Sequence, residues 1–291
     1  MGVKKALRES GLALNLLSVA TLPFFWIQLS VATLRDIKGR TGQTHAPVPP
    51  PKLRWRVSAN LDRTGYLEAG KEIAQNIRDC CEIAGREFDS YTDILDFGSG
   101  CGRIIQNFRG RTPLCTLYAT DIDPELVSWG KANLPGIQWS VNEHQPPLPF
   151  GNNSFDLIYG SSVFTHLPED LQYIWLRELQ RVARPGATII LSVHGEYAMS
   201  KQPGMLLDSS SRDEVRQRGF MFFKWTNGIF KRDGFPDFYQ TAFHTKEYIY
   251  NKWSNYFDVL DYVERGFHGF QDAVVMRKST AQGSEENDDR T

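Results

Sequence analysis

The stretch Asp93-Ile94-Leu95-Asp96-Phe97-Gly98-Ser99-Gly100-Cys101-Gly102-Arg103 decides how this chain folds. The apolar pair Ile94-Leu95 runs into an acid and then into three glycines at alternating positions. Ile104, Ile105 and Phe108 follow at helix-face spacing, which predicts a buried strand, a tight turn and a helix start. Glycines in such a turn let the backbone approach a ligand, and the free N–H groups of a helix start favour a polar or anionic group. A dinucleotide-binding loop needs G-x-G-x-x-G, and the place of its third glycine is taken by Arg103. The spacing is instead G-x-G-x-G, with Asp96 two residues ahead of the first glycine.

Outward from this loop the chain alternates strands and helices. Leu61 to Ala84 has helical periodicity, with Asp62 as its N-cap, and precedes the first strand. Leu114 to Thr120 reads as a second buried strand ending at Asp121, where a carboxylate can accept two hydrogen bonds from a ribose diol. Asp123-Pro124 then starts a helix, with Asp123 as a cap rather than a ligand. Ile137 to Val141 is a third strand, and Phe155 opens a fourth whose C-terminal end carries Ser161, Ser162 and Val163. Asp156 lies at the opening of that strand, away from the ligand end, and reads as structural. Pro168 to Ala183 is an amphipathic helix with Leu171, Ile174, Trp175, Leu179 and Val182 on one face, its aromatic assigned to the core. Ala187 to Val193 has the unbroken apolar run of a strand covered on both faces. Thr245 caps a helix to Tyr256, and Phe257–Val263 and Gln271–Arg277 form two closing strands joined around Gly266 and Gly269.

In joint order, D-x-G-x-G-x-G, the acid at Asp121, LPF…FDLIYGSSVFTHL and RELQRVARPGATIILSVHGE, the chain resembles the class I S-adenosylmethionine (SAM) dependent methyltransferases. The resemblance covers roughly residues 52–278. It implies an α/β, Rossmann-like fold: a seven-stranded, mostly parallel sheet with an antiparallel C-terminal hairpin and helices on both faces. It also implies SAM as cofactor, held at the glycine loop by Asp96, Gly98, Ser99, Gly100 and Gly102. Asp121 would take the ribose, with Ile122 beside it, and Asn142 and Glu143 the adenine, although the family more often has an aspartate there. Ser161 to Val163 would line the pocket beneath the methyl group, and Tyr66 and Gly70 would border the cofactor. If the acceptor must lose a proton, His194 and His244, at the ligand end of the sheet, are the candidate general bases. His166 is expected to pack against the following helix. A metal is not expected.

Composition narrows the alternatives. The 291 residues carry a formal net charge of −1, which offers no basic face for nucleic acid. Cys80, Cys81, Cys101 and Cys115 have no C-x-x-C spacing and read as reduced thiols in a cytoplasmic protein. Residues 1–50 form an apolar, helical N-terminal extension and a Pro-rich linker, ahead of a domain over 51–278. Ser10 to Leu34 holds no charged side chain, and two outcomes stand level for it: contact with a membrane, or packing on the protein's own core. Residues 195–243 interrupt the alternation, polar first and then aromatic, and two outcomes stand nearly level for them: a lid folded over the pocket, or a satellite hydrophobic cluster without ligand contact. The acidic tail, 279–291, has the composition of disorder. The function expected is methyl transfer from SAM to a small-molecule, lipid or glycan-like acceptor. The rivals are an NAD(P)-binding oxidoreductase and a non-catalytic SAM-binding scaffold of the same fold.

Overall fold

The computed structural model describes residues 25–37, 47–110, 115–202, 207–223 and 240–280. Calls on residues 1–24, on the start of the linker, on Leu114, on the aromatics of 224–239 and on most of the tail lie outside them. The described strands are β1 (Asp93–Phe97), β2 (Thr116–Asp121), β3 (Ile137–Val141), β4 (Phe155–Gly160), β5 (Ala183–Val193), β6 (Phe220–Phe223), β7 (Thr241–His244), β8 (Asp258–Phe267) and β9 (Gln271–Arg277). Seven of them make one sheet in the order β3-β2-β1-β4-β5-β9-β8, while β6 and β7 pair separately. β1 to β5 run parallel, and β9 and β8 close the edge antiparallel. This is the seven-stranded plan expected from the sequence.

Helices cover both faces. They are α1 (residues 25–37), α2 (Pro51–Ser58), α3 (Arg63–Ile83), α4 (Pro124–Asn133), α5 (Glu169–Val182), α6 (Glu196–Ser200), α7 (Ser209–Arg218) and α8 (Lys246–Lys252). Successive strand residues point to opposite faces, so Leu95 and Ile158 pack with Leu176 and Trp253, while Ile94 and Leu157 pack with Ile77 and Ile105. Every residue of β4 is buried, as a strand covered on both sides requires. The three caps read from the sequence are present: Asp62 accepts from Gly65 N, Asp123 from Glu125 N and Leu126 N, and Thr245 from Tyr248 N.

Three local expectations are corrected. Residues 104–108 do not start an α-helix; Ile105–Phe108 is a single 3₁₀ turn. The chain leaves it at once through Arg109 and Gly110, the latter at φ +68°, before the few residues an α-helical nucleus needs have been laid down. Ile174 is 40% exposed rather than core, because at 3.6 residues per turn it falls outside the arc shared by Leu171, Trp175, Leu179 and Val182. The polar half of the 195–243 segment is not irregular: Asp208 caps α7, and Gly219 ends it at φ +82°.

Asp156 acts as the sequence suggested. Its carboxylate receives the N–H groups of Thr92 and Asp93 and the Arg86 guanidinium, tying the entrance of β1 to β4 at the end of the sheet away from the glycine loop. Asp156→Ala therefore leaves two backbone donors without their side-chain acceptor and removes the carboxylate from Arg86, which keeps only Ser90 as acceptor. Chemical denaturation should show a loss of about 2 kcal/mol, with SAM affinity by calorimetry unchanged.

Candidate functional site

The strand order reverses about β1, whose neighbours β2 and β4 are reached by connections running in opposite directions. In open α/β sheets the crevice at that point, beyond the carboxyl ends of the strands, is where ligands sit. A cleft enclosing about 740 Å³, open solvent included, occupies this place. Its rim includes Gly98, Gly100, Asp121, Ile122, Asn142 and Ser161, all named from the sequence.

The glycine loop takes its shape from backbone bonds. Gly98 N and Ser99 N both donate to Thr120 O at 2.9 Å, which folds the loop over the end of β2. Gly98, Gly100 and Gly102 stand at φ +76°, +58° and +77°, a region that side chains strain. A Cβ on Gly98 would lie 2.3 Å from Val163 Cγ2, and one on Gly100 2.8 Å from Val57 Cγ2. The first glycine thus meets the end of β4 and the second meets α2. Gly102 packs against Leu134 and Trp139, away from the cleft.

Asp121 is held at both oxygens, Oδ2 by Gly100 N at 2.8 Å and Oδ1 by Asp123 N at 2.9 Å. Burial pushes its carboxyl up to about 6, against the pull of the Gly100 N–H and the Arg56 guanidinium. Each oxygen keeps a lone pair for a ligand hydroxyl. Arg56 pairs with Asp123 and Glu125, clamping α2 against the start of α4.

Asp96 does not line the cleft. It lies buried behind the loop with no hydrogen bond to either oxygen, near the likewise unsatisfied hydroxyls of Tyr66, Ser99 and Tyr159. Burial pushes its carboxyl up to about 7, and the nearby Ser99 and Tyr159 hydroxyls only partly offset that. Buried polar atoms without partners are rare in native proteins and mark a place where a further polar group belongs. A Cβ on Gly70 would strike Arg103 O at 2.3 Å, so the glycine lets α3 pack on the loop.

Glu143 is exposed and outside the cleft lining, whereas Asn142 is buried, donates to Glu143 O at 2.9 Å and keeps its own Oδ1 unpartnered. Ser162 lines the cleft at φ +60°. His194 and His244 are buried and outside the cleft lining, and burial lowers each to about 3, so both are neutral near pH 7. His194 still has a polar route to the cleft, since Gln271 Nε2 donates to Ser162 Oγ at 2.7 Å and stands 3.5 Å from His194 Nε2. His244 Nε2 instead meets Gln172 Oε1 at 3.0 Å in the core. His166 Nδ1 bonds Gln240 O at 2.6 Å and so holds the start of β7.

Sequence reasoning missed Arg56, Val57, Leu126, His144 and Leu167 in the lining, and gave Trp175 to the core alone although it also faces the cleft. Pro51 at the first turn and the Leu53–Val57 spacing were the signals for α2, and the preceding prolines hid them. Among the described residues no group of His, Cys, Asp or Glu could hold a metal ion.

The family model of a methyltransferase domain matches residues 95–191, from the end of β1 through β5. Among solved structures, an O-methyltransferase family protein from Burkholderia thailandensis shares the fold: TM-score 0.51, 11% identity, 78% of this chain and 63% of that one. A SAM-dependent methyltransferase from Aquifex aeolicus aligns over 77% of this chain and 97% of its own at 18% identity, TM-score 0.44. Human N-acetylserotonin methyltransferase in complex with SAM aligns over 88% and 66% at 17% identity, TM-score 0.46. Residues 95–191 thus carry a methyltransferase domain of the class I SAM-dependent kind. It is an enzyme whose cofactor is SAM. The residues fit that cofactor: a positive-φ cradle that a Cβ would fill, a backbone-held carboxylate and unpartnered polar atoms beside it.

The buried acids have a measurable cost. An unfolded aspartate titrates near 3.9, so between pH ~4 and ~7 the folded protein binds the Asp96 proton more tightly and stability falls as pH rises through that window. Cofactor-free Asp96→Asn should be more stable than the wild type at pH 8, by on the order of 1–4 kcal/mol, with the gain shrinking toward pH 5. Urea unfolding at the two pH values checks this, and a destabilised variant at pH 8 contradicts it.

Proposed function

We propose that this enzyme moves the SAM methyl group onto a small acceptor of lipid or glycan character, presented at the Ser161–Val163 side of the cleft. The carrying observation is the position of Asp121. Its carboxylate, fixed by Gly100 N and Asp123 N and facing the cleft, suits the ribose diol of SAM. The backbone of Gly98 to Gly100 would take the charged amino-acid end, with Asp96 behind the loop as its counter-charge, and Asn142 the adenine edge. SAM supplies a methyl group already activated as a sulfonium. What is left to the chain is to align the acceptor, exclude water and, for a hydroxyl acceptor, take up a proton.

The β6–β7 hairpin supports the lid reading. Gln240 N donates to His166 O and His244 N to His194 O, seating the hairpin on the ligand end of β4 and β5. On β6, Phe220 packs on the main core and Met221 and Phe223 on a satellite cluster with Met199, Leu207, Val215 and Phe243; none of the described residues of 195–243 lines the cleft, so the hairpin would cover it from the rim. Of the two candidate bases, His194 is the one we assign to the acceptor side, through Gln271 and Ser162. His244 we assign to the core with Gln172.

The reading is tested by calorimetric titration of SAM and of NADH, followed by transfer of labelled methyl groups to extracted lipids, glycans and small metabolites. SAM binding should weaken roughly 10-fold or more in Asp121→Ala, for the loss of about two hydrogen bonds to a charged group. NADH should not bind; tight NADH binding without SAM binding overturns the proposal. With the acceptor in hand, His194→Gln should lower turnover roughly 10-fold or more and leave SAM affinity as it is, whereas His244→Gln should alter stability alone.

A further inference from the structure

The α1 helix has two apolar faces, and only one is used. Toward the domain it buries Leu29 and Ala32, and Phe25 packs on Trp55 with ring centroids 4.9 Å apart. Asp36 pairs at 2.7 Å with Arg54, a fully buried guanidinium that also donates to Pro49 O and Leu61 O. The opposite face carries Trp26, Ile27, Val31, Leu34 and Ile37, each 40–61% exposed. At 3.6 residues per turn these five fall within an arc of about 140°. They make up more than half of the large apolar side chains that stand exposed among the described residues.

We propose that this arc docks on the surface of an anionic lipid bilayer, with α1 lying in the interface. Charge complementarity selects the occupant. No charged side chain stands between Ser10 and Leu34, and cations flank the run: Lys4, Lys5 and Arg8 before it, Arg35, Lys38 and Arg40 after it. An apolar helix face bordered by basic residues is what an anionic interface attracts. Alongside α1 runs a groove lined by Ile27, Val31, Arg35, Trp55 and Arg63, with room for a headgroup. Its two acids are engaged elsewhere, Asp36 with Arg54 and Asp62 with the Gly65 N–H. A second copy of the chain is the weaker occupant. Five half-exposed side chains offer less than the ~800 Å² that a partner contributes to a standard interface. No helix among the described residues is long and apolar enough to cross a membrane.

Docking would also place the cleft. The eight-residue α2 carries Arg54 to α1 and Arg56 and Val57 to the cleft wall, so one short helix joins the docking face to the cofactor site. This inference does not depend on the acceptor proposed above.

The full chain should be tested by flotation with phosphatidylcholine vesicles, with and without phosphatidylglycerol. The expected result is binding to the anionic vesicles that falls as salt rises and weakens roughly 10-fold or more in Trp26→Glu/Leu34→Glu. Ile83→Glu, an exposed apolar residue on α3, should bind as the wild type does. Vesicles with brominated acyl chains should quench wild-type fluorescence more than that of Trp26→Phe. Unchanged melting temperature and SAM affinity in the glutamate variant would show that it folds and that the cofactor site is intact. The proposal is overturned if the full chain floats with neither vesicle, or if the double substitution leaves flotation unchanged. It is equally overturned if the substitution dissolves a dimer of a protein that binds no vesicle.

Discussion

The carbonyl of Thr120 receives two backbone N–H groups, those of Gly98 and Ser99, and the neighbouring Asp121 carboxylate receives that of Gly100. These bonds fold the end of β1 over the end of β2 and hold the loop in left-handed conformations that only glycine takes without strain. Because Gly98 and Gly100 have no side chains, Val163 from the end of β4 and Val57 from α2 close directly onto them. The cleft is the space those contacts leave. Strand, loop, α2 and the β4 end are therefore one unit, and a methyl group added at Gly98 or Gly100 would disturb both packing and pocket.

Close packing around the loop leaves acids in a poor medium. Asp96 has no hydrogen bond and Asp121 lies near it, and burial pushes both carboxyls up, to about 7 and about 6. A protein selected for stability alone would put an asparagine or an apolar residue at position 96. Retaining the acid suits a ligand that brings positive charge, and SAM carries it on both its amino-acid end and its sulfur. The histidines show the opposite case. His166, His194 and His244 are kept neutral by burial, and two of them bond to glutamine groups, Gln240 O and Gln172 Oε1, that fasten the hairpin and the core.

Much of the sheet was legible because its strands are short apolar runs whose ends carry polar residues in a fixed order. Asp121 and the three glycines announced the ligand end before any coordinates. What stayed hidden depends on distant packing. The Pro-rich approach masked α2, whose Arg56 and Val57 reach the cleft only because Arg56 clamps onto Asp123 and Glu125, far along the chain. Trp175 has helix-face spacing whether it meets core or cleft, and here it meets both. Glu143 and Asn142 are equal candidates as letters, yet the chain turns out at 143, so one is exposed and one is buried. Burial of His194 is set by the β6–β7 hairpin seated on it, with His244 at the end of β7, which periodicity does not report.

If Asp96 serves as counter-charge to SAM, as proposed above, its raised carboxyl should give up a proton when the cationic cofactor binds. SAM binding by calorimetry near pH 6.5, in buffers of differing ionisation enthalpy, measures the protons exchanged. Release of up to about one proton by the wild type, and of markedly less by Asp96→Asn, is the expected result. Binding heats independent of the buffer, or equal release by both proteins, would contradict it.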